Sequence, residues 1–322
     1  MVNQEGGKTH FIGIGPFFVM LAAVLWALDA LLRTELTKTI PSVWIVFIEH
    51  LVGFVLLSPI FFSSISKLKD LKRNDWLAAI GLTIVSSVLG TVLFTEALAR
   101  SFANYDFATP ILLQKMQPVF VIALAALFLR ERLFFRFIVL VPVALVGSYL
   151  VSFGVQPIKL EFTGKELVYV LALGAAFAWG AGTILSKTLL RKLGFAEATA
   201  LRFLLAIPLS LVMALALGQN YSLASLKAGE FFRFVIIAFT TGAGAVLIYY
   251  RGLQQTEAKV ATIAELVFPA VTLAIAISRF NPYGAPQVLS LANIFGIIIL
   301  FCAVIAISFD RPLPSVVEKE SS

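Results

Sequence analysis

Ten stretches of apolar residues, each about 20 residues long, follow one another along the chain, and short polar or charged segments separate them. A helix needs about 20 apolar residues to cross the hydrocarbon core of a bilayer. Unbroken apolar runs of this length do not fit the alternating pattern of membrane barrel strands. The pattern predicts an all-α integral membrane protein with ten transmembrane helices at 14–33, 42–64, 76–98, 106–128, 134–154, 166–188, 195–217, 231–253, 260–279 and 286–308.

The last five stretches repeat polar landmarks of the first five. The segment WALDALLR at 26–33 corresponds to WGAGTILS at 179–186. Glu49 lies sixteen residues beyond the first segment, and Arg202 lies sixteen residues beyond the second. We therefore treat Glu49 and Arg202 as equivalent positions of two repeats.

A second pair of segments extends this correspondence. EALARSFANYDFATPILLQKMQP at 96–118 matches RGLQQTEAKVATIAELVFP at 251–269, with four fewer residues in the second copy. Gln114 then aligns with Glu265, and each lies four residues before a proline.

Five crossings per repeat is an odd number, so the second repeat enters the membrane from the opposite side. Inverted-topology repeats of this kind typically form a substrate site near the midplane, at their interface. The predicted units are a cytoplasmic N-terminal tail at 1–13, a first five-helix repeat at 14–154, a second, inverted five-helix repeat at 155–310 and a polar cytoplasmic tail at 311–322.

Composition and charge agree with this interpretation. Hydrophobic residues make up 60% of the chain and charged residues only 13%, whereas soluble domains carry about 25% charged residues. Most of the 25 Lys and Arg residues lie in segments that are cytoplasmic if both termini are cytoplasmic, as the positive-inside rule requires. The net charge of +7 therefore reflects topology, and we expect no nucleic-acid partner. We expect a multi-pass protein of the bacterial inner (plasma) membrane.

The sequence offers no support for an enzyme. It has no P-loop, no GxSxG and no HExxH motif, which argues against an ATPase or a conventional hydrolase. Its one cysteine, Cys302, and its two histidines are far apart in sequence, so a structural metal site is not expected. We expect neither cofactor nor bound metal.

The end of the fourth stretch, PVFVIALAALFLRERL at 118–133, resembles the EamA-type ten-helix transporters of the drug/metabolite transporter superfamily. In that family a glycine usually precedes the glutamate of the turn, and here Arg130 precedes Glu131. The corresponding turn of the second repeat, SRFNPYG at 278–284, has no glutamate. We expect the turn to serve helix capping and topology. The resemblance covers about residues 14–310.

The resemblance implies a secondary transporter that moves a small polar metabolite by alternating access, above all one that exports an amino acid. Its implied partners are this small-molecule substrate, membrane lipid and a coupling proton, and the protein is expected to be a monomer or a homodimer. Two other interpretations remain open at this point. One is a flippase for lipid-linked sugars, and the other is a membrane scaffold or sensor that transports nothing.

Ionisable residues inside the predicted spans are the main candidates for a substrate site. A charge at the centre of a membrane helix costs about 2.5–3.5 kcal/mol on insertion scales. Lys115 precedes Pro118, and Glu265 precedes Pro269. A proline leaves the carbonyl one turn earlier without its helical donor, so we expect free carbonyls at Gln114 and Glu265. The alternative is a Lys115–Glu265 ion pair that only joins the two repeats.

The first helix supplies a second group of candidates. Trp26, Asp29 and Arg33 are spaced three and four residues apart, so they share one helix face. Trp179 aligns with Trp26, and paired tryptophans can stack on a flat or cationic substrate; the alternative is a buried packing pair. The predicted substrate-binding residues are Trp26, Asp29, Gln114, Lys115, Gln117, Trp179 and Glu265.

Three further charged residues are assigned structural roles from their depth along the helices. Arg33 lies at the outer end of the first helix, so we expect an interface anchor. Arg202 is expected to reach toward the cytoplasmic interface, as long basic side chains do. Glu49 is expected to support packing.

Overall fold

The computed structural model describes residues 14–103, 108–133, 135–156, 164, 166–281 and 286–308, and these ranges contain helices but no strand. The first repeat contains α1 (Ile14–Leu36), α2 (Ser42–Ser63), α3 (Ile65–Leu68), α4 (Arg73–Leu82), α5 (Thr91–Ala103), α6 (Ala108–Gln114), α7 (Gln117–Leu124) and α8 (Phe135–Phe153). The second contains α9 (Glu166–Leu189), α10 (Phe195–Ala216), α11 (Ala228–Phe239), α12 (Ala243–Gln254), α13 (Ala258–Ala264), α14 (Val267–Ala276) and α15 (Leu291–Ser308). The predicted tails at 1–13 and 311–322 lie outside the described residues.

The described helices include 7 that are long and apolar enough to cross a membrane. Shorter apolar helices occupy Ile14–Asp29, Gln117–Leu129 and Leu291–Ile307, where the first, fourth and tenth spans were predicted. The all-α, multi-pass character predicted from the sequence is therefore confirmed.

The two repeats pack against each other through corresponding helices. Helix α1 packs along α12, and its counterpart α9 packs along α5. Helix α2 packs along its own counterpart α10, and α8 packs along α15. A Cβ atom at Gly147 would lie 2.8 Å from the Leu300 nitrogen, and one at Gly296 would lie 2.6 Å from the Val151 nitrogen. Glycine at these two positions is therefore what allows α8 and α15 to approach so closely.

Helices α4 and α11 begin in the same way in the two repeats. The Asp75 carboxylate accepts the backbone N–H of Lys72 at 2.9 Å, and the Glu230 carboxylate accepts that of Lys227 at 2.9 Å. An acidic residue at the third helical position satisfies an otherwise free amide and favours the positive end of the helix dipole. The repeat that the sequence indicates is thus also present in local structure.

Two of the predicted continuous spans are broken in the structure. The fourth span is divided between α6 and α7 at Lys115 and Met116, and the ninth is divided between α13 and α14 at Glu265 and Leu266. Pro118 and Pro269 consequently lie in the first turns of α7 and α14, where a missing N–H costs no helical hydrogen bond. The prediction of a free carbonyl at Glu265 was wrong, because Phe268 donates its N–H to that oxygen at 3.0 Å.

Other irregular sections were not predicted. Thr83–Gly90 is a π-helical section that joins α4 to α5, and Ala125–Leu129 is a second one that follows α7. The eighth span is interrupted between α11 and α12 at 240–242. π-Helical bulges occur often at functional sites, and non-helical backbone at membrane depth is tolerated where it lines a cavity.

The turn after the second π-helical section joins the repeats. Arg130 adopts a left-handed conformation with φ 55°, the conformation that glycine adopts most easily. The Glu131 carboxylate then accepts the N–H groups of Ala258 at 2.8 Å and Lys259 at 3.1 Å. Glu131 of the first repeat therefore caps α13 of the second, so the turn does serve helix capping.

Candidate substrate-binding cavity

A cavity of about 200 Å³ lies between the two repeats and is lined by residues of both. The helix breaks at Lys115 and Glu265 open onto it, as does the α11–α12 break at Thr241. All the residues predicted to bind substrate line this one cavity: Trp26, Asp29, Gln114, Lys115, Gln117, Trp179 and Glu265. The structure thus brings these residues together, while their contact with substrate stays a prediction.

Two aromatic pairs line the cavity. The rings of Trp26 and Tyr249 are 5.1 Å apart between centroids, at an interplanar angle of 55°. The rings of Trp179 and Phe94 are 5.2 Å apart, at 57°. The offset that aligns Glu96 with Arg251 also aligns Phe94 with Tyr249, so the two pairs are equivalent in the repeats. Phe94 and Tyr249 were not among the residues predicted from the sequence to bind substrate, although the repeat alignment places an aromatic residue at both positions.

A chain of hydrogen bonds connects the two helix breaks. The Gln114 amide donates to Gln117 Oε1 at 3.0 Å, and Gln117 Nε2 donates to Glu265 Oε2 at 3.0 Å. The Lys115 ammonium lies 3.3 Å from the centroid of the Phe268 ring. Among the described residues it forms no ion pair with Glu265. The alternative of a direct Lys115–Glu265 ion pair is thus not formed, although the two groups interact electrostatically, and Gln117 makes the hydrogen-bonded connection.

An acidic cluster lies at the α1–α2 side of the cavity. Arg33 forms an ion pair with Asp29 and another, at 2.9 Å, with Glu49. Thr241 donates a hydrogen bond to Asp29 from the opposite repeat. The prediction that Arg33 is an interface anchor was wrong: it is only 6% exposed, because its helix face turns the guanidinium toward two carboxylates.

Arg202, which is the equivalent of Glu49 in the second repeat, is a cation where Glu49 is an anion. Arg202 donates hydrogen bonds to Ser87, to Ser86 at 3.1 Å and to the Tyr250 hydroxyl at 2.9 Å. The Tyr250 hydroxyl is also hydrogen-bonded to Ser186 at 2.9 Å. The expectation that Arg202 reaches the cytoplasmic interface was wrong, since its side chain lines the cavity. Hydroxyl groups hold it there in place of a carboxylate.

The charges that line the described cavity are balanced. Asp29, Glu49 and Glu265 supply three acidic groups. Arg33, Lys115 and Arg202 supply three basic groups. Charges in a low-dielectric interior need compensation, and here the acidic and basic groups are equal in number, so the lining carries no net formal charge. A neutral or zwitterionic cargo suits such a cavity better than one with a large net charge.

Comparison with known proteins identifies the family. The model of the EamA-like transporter family matches residues 13–153 and again residues 166–309. The chain belongs to the EamA-like transporter family. The two matches correspond closely to the two predicted five-helix repeats, and the resemblance stated from the sequence is confirmed. The protein is accordingly a transporter of this family, which disfavours a scaffold that transports nothing.

Two curated relatives and one solved structure are similar over long parts of this EamA-like chain. The riboflavin transporter ImpX of Fusobacterium nucleatum is 33% identical over 299 residues, which are 91% of this chain and 97% of the relative. An uncharacterized transporter of Methanothermobacter thermautotrophicus is 27% identical over 240 residues, 72% of this chain and 66% of the relative. A crystal structure with 15% identity has a TM-score of 0.70 and covers 92% of this chain and 96% of its own, which shows the fold alone.

Proposed function

We propose that this protein is a secondary transporter that carries riboflavin, or a closely related flat heteroaromatic metabolite, across the bacterial plasma membrane by alternating access. The observation that carries the proposal is the pair of equivalent aromatic walls, Trp26–Tyr249 and Trp179–Phe94, around one polar cavity. The similarity of the chain to a riboflavin transporter over 91% of its length supports the same cargo.

The chemistry of the cavity suits such a molecule. An isoalloxazine ring is flat and aromatic, so it can stack on indole and phenol rings. Riboflavin is uncharged, and the acidic and basic residues of the cavity balance without it. Its ribityl chain carries only hydroxyl groups, which can hydrogen-bond to side chains such as Ser86, Thr183 and Ser186 at the cavity wall.

The proposed architecture is ten crossings in two inverted repeats, with both termini cytoplasmic. The crossings are α1, α2, α4–α5, α6–α7, α8, α9, α10, α11–α12, α13–α14 and α15. Packing of α1 on α12 and of α9 on α5 supports a two-fold relation between the repeats, because such a relation makes each contact twice, and the odd number of crossings per repeat then inverts the second. Rocking of one repeat against the other would then expose the cavity to each side in turn.

Amino-acid export remains a second candidate, and one observation favours it. Asp29 and Glu49 share a single arginine at one side of the cavity, while Arg202 has no ion pair among the described residues. An amino acid carries an ammonium and a carboxylate, which match these two sides. No observation of the cavity favours a lipid-linked sugar.

The test is flavin binding to the purified transporter, followed through quenching of flavin fluorescence. We expect riboflavin to bind, and Trp26→Phe and Trp179→Phe each to raise Kd about five- to tenfold, as loss of about 1 kcal/mol of stacking implies. Trp76→Phe is the matched control, because Trp76 does not line the cavity. Binding of an aromatic amino acid without binding of riboflavin would favour the second candidate. Equal effects of all three variants would contradict stacking in the cavity.

A further inference from the structure

Two polar groups in the cavity lack the partners that their burial calls for. Lys115 is only 8% exposed, and its ammonium lies over the Phe268 ring without a carboxylate partner among the described residues. Glu265 Oε1 is buried and has no hydrogen-bond partner, whereas Oε2 is held by Gln117. Buried polar atoms are nearly always paired, so each exception calls for an explanation.

The surrounding side chains hold these two groups in place without satisfying them. The hydrogen bonds from Gln114 through Gln117 fix one oxygen of Glu265 and leave the other free. The Tyr249 hydroxyl lies beside the Glu265 carboxylate and interacts with it, but its hydrogen bond of good geometry is the one with Thr183, at 3.1 Å. An ammonium has three donors, and an aromatic face satisfies its charge only in part. Lys115 and Glu265 thus line the cavity at the two helix breaks, one as a donor and the other as an acceptor.

We propose that Lys115 and Glu265 form a donor–acceptor subsite that binds the polar edge of the cargo's heterocycle, where a ring carbonyl lies beside a ring N–H. Lys115 donates to the carbonyl, and Glu265 Oε1 accepts from the N–H. This inference rests on the proposed function and assigns the orientation of the ring within it. In a flavin the edge is the pyrimidinedione ring, so the dimethylbenzene end lies away from the two helix breaks.

The orientation explains why both groups occur at broken helices. Lys115 lies between α6 and α7, and Glu265 lies between α13 and α14. The two breaks align in the repeats, but Lys115 has no basic counterpart and Gln114 aligns with Glu265. The subsite is therefore asymmetric, as a donor and an acceptor on one edge of one ring require. A site built to pair with a polar edge rejects an analogue that leaves its buried groups unpaired.

The experiment compares riboflavin with N3-methylriboflavin, which lacks the ring N–H, and with an analogue altered only on the dimethylbenzene ring. In the wild-type protein we expect N3-methylation to raise Kd at least about tenfold, the cost of an unpaired buried acceptor. The change on the opposite ring should alter Kd less than about threefold. Equal binding of riboflavin and N3-methylriboflavin would overturn the assignment. This comparison uses the wild-type protein alone.

Two variants assign the partners of the edge. Glu265→Ala should reduce the penalty for N3-methylation to less than about threefold, since the acceptor is gone. Lys115→Met should weaken both flavins about equally and leave that penalty intact. A full penalty in Glu265→Ala would overturn the role of Glu265. Failure of the wild-type protein to bind any flavin would contradict the proposed function itself, and this outcome is distinct from the others.

Discussion

Two carboxylates share one guanidinium on the α1–α2 side of the cavity, and this residue-scale feature governs local stability. Arg33 is buried between Asp29 and Glu49, which come from different helices. Removing one partner of a buried ion pair leaves an uncompensated charge and typically costs about 3–5 kcal/mol. The arginine is therefore more important for folding than either carboxylate alone.

We expect Arg33→Gln to lower stability by about 3–5 kcal/mol, seen as a marked fall in the midpoint of thermal unfolding in detergent. The triple variant, which adds Asp29→Asn and Glu49→Gln to Arg33→Gln, should recover much of this loss, because no charge then stays unpaired. An unchanged midpoint in Arg33→Gln would show that the cluster is solvated and not buried as described.

Arg130 is the opposite case, because its replacement should increase the stability of the protein. A non-glycine residue in the left-handed region costs about 1–3 kcal/mol, and Arg130 has φ 55°. We expect Arg130→Gly to raise the thermal midpoint, with a net gain of about 0.5–1 kcal/mol after the entropy cost of glycine. Arg132→Gly is the control, since Arg132 does not have a positive φ. An equal response of the two variants would argue against strain at Arg130.

At the residue scale the sequence predicted which residues line the cavity better than it predicted their partners. Repeat alignment and helix-face spacing were enough to select Trp26, Asp29 and Trp179. Depth along a helix misled the analysis for Arg33 and Arg202, because depth does not reveal whether a neighbouring helix offers a carboxylate or a hydroxyl. Such partners depend on contacts between helices far apart in sequence.

At the scale of elements, the cap on α13 is the clearest tie between the repeats. Glu131 accepts two amide hydrogens of α13, and the Lys259 ammonium donates to the Arg132 carbonyl at 2.6 Å. Because these contacts join the turn after α7 to the opposite repeat, the turn must release α13 if the repeats separate at this end. The equivalent turn at 278–284 has no glutamate.

We expect Glu131→Ala to destabilise the N-terminus of α13, at this end of the cavity, by about 1–2 kcal/mol, the usual effect of losing an N-terminal cap. A cysteine placed at Thr262, in a Cys302→Ser background, should then react several-fold faster with a thiol reagent supplied from the Glu131 side. Glu257→Ala is the matched control, because Glu257 precedes α13 but its side chain makes no cap hydrogen bond. Faster labelling in both variants would point to charge rather than capping.

Element boundaries were predicted well where helices are continuous and poorly where they break. The span at 42–64 agrees with α2, Ser42–Ser63. The prolines marked the breaks near Lys115 and Glu265, but periodicity gave no sign of the π-helical section Thr83–Gly90. That section contains no proline or other residue that marks a change in hydrogen-bond register, and it packs against α9 and α10 of the opposite repeat.

At the scale of the whole molecule, the proposed inverted arrangement predicts which loops share a side of the membrane. Lys69 and Ser225 are both exposed and occupy loops that the proposed topology places on opposite sides. In a Cys302→Ser background, Lys69→Cys should resist an impermeant thiol reagent on intact cells, whereas Ser225→Cys should react. Lysed cells, in which both positions should react, provide the control. Equal labelling on intact cells would contradict the inverted topology.

A transport assay decides between riboflavin and an amino acid as the cargo. Purified protein is reconstituted into liposomes, and uptake of radiolabelled riboflavin is compared with uptake of a labelled aromatic amino acid, with protein-free liposomes as the blank. We expect saturable riboflavin uptake that Trp26→Phe and Trp179→Phe slow and that Trp76→Phe leaves unchanged. Saturable amino-acid uptake with no riboflavin uptake above the blank would contradict riboflavin as the cargo.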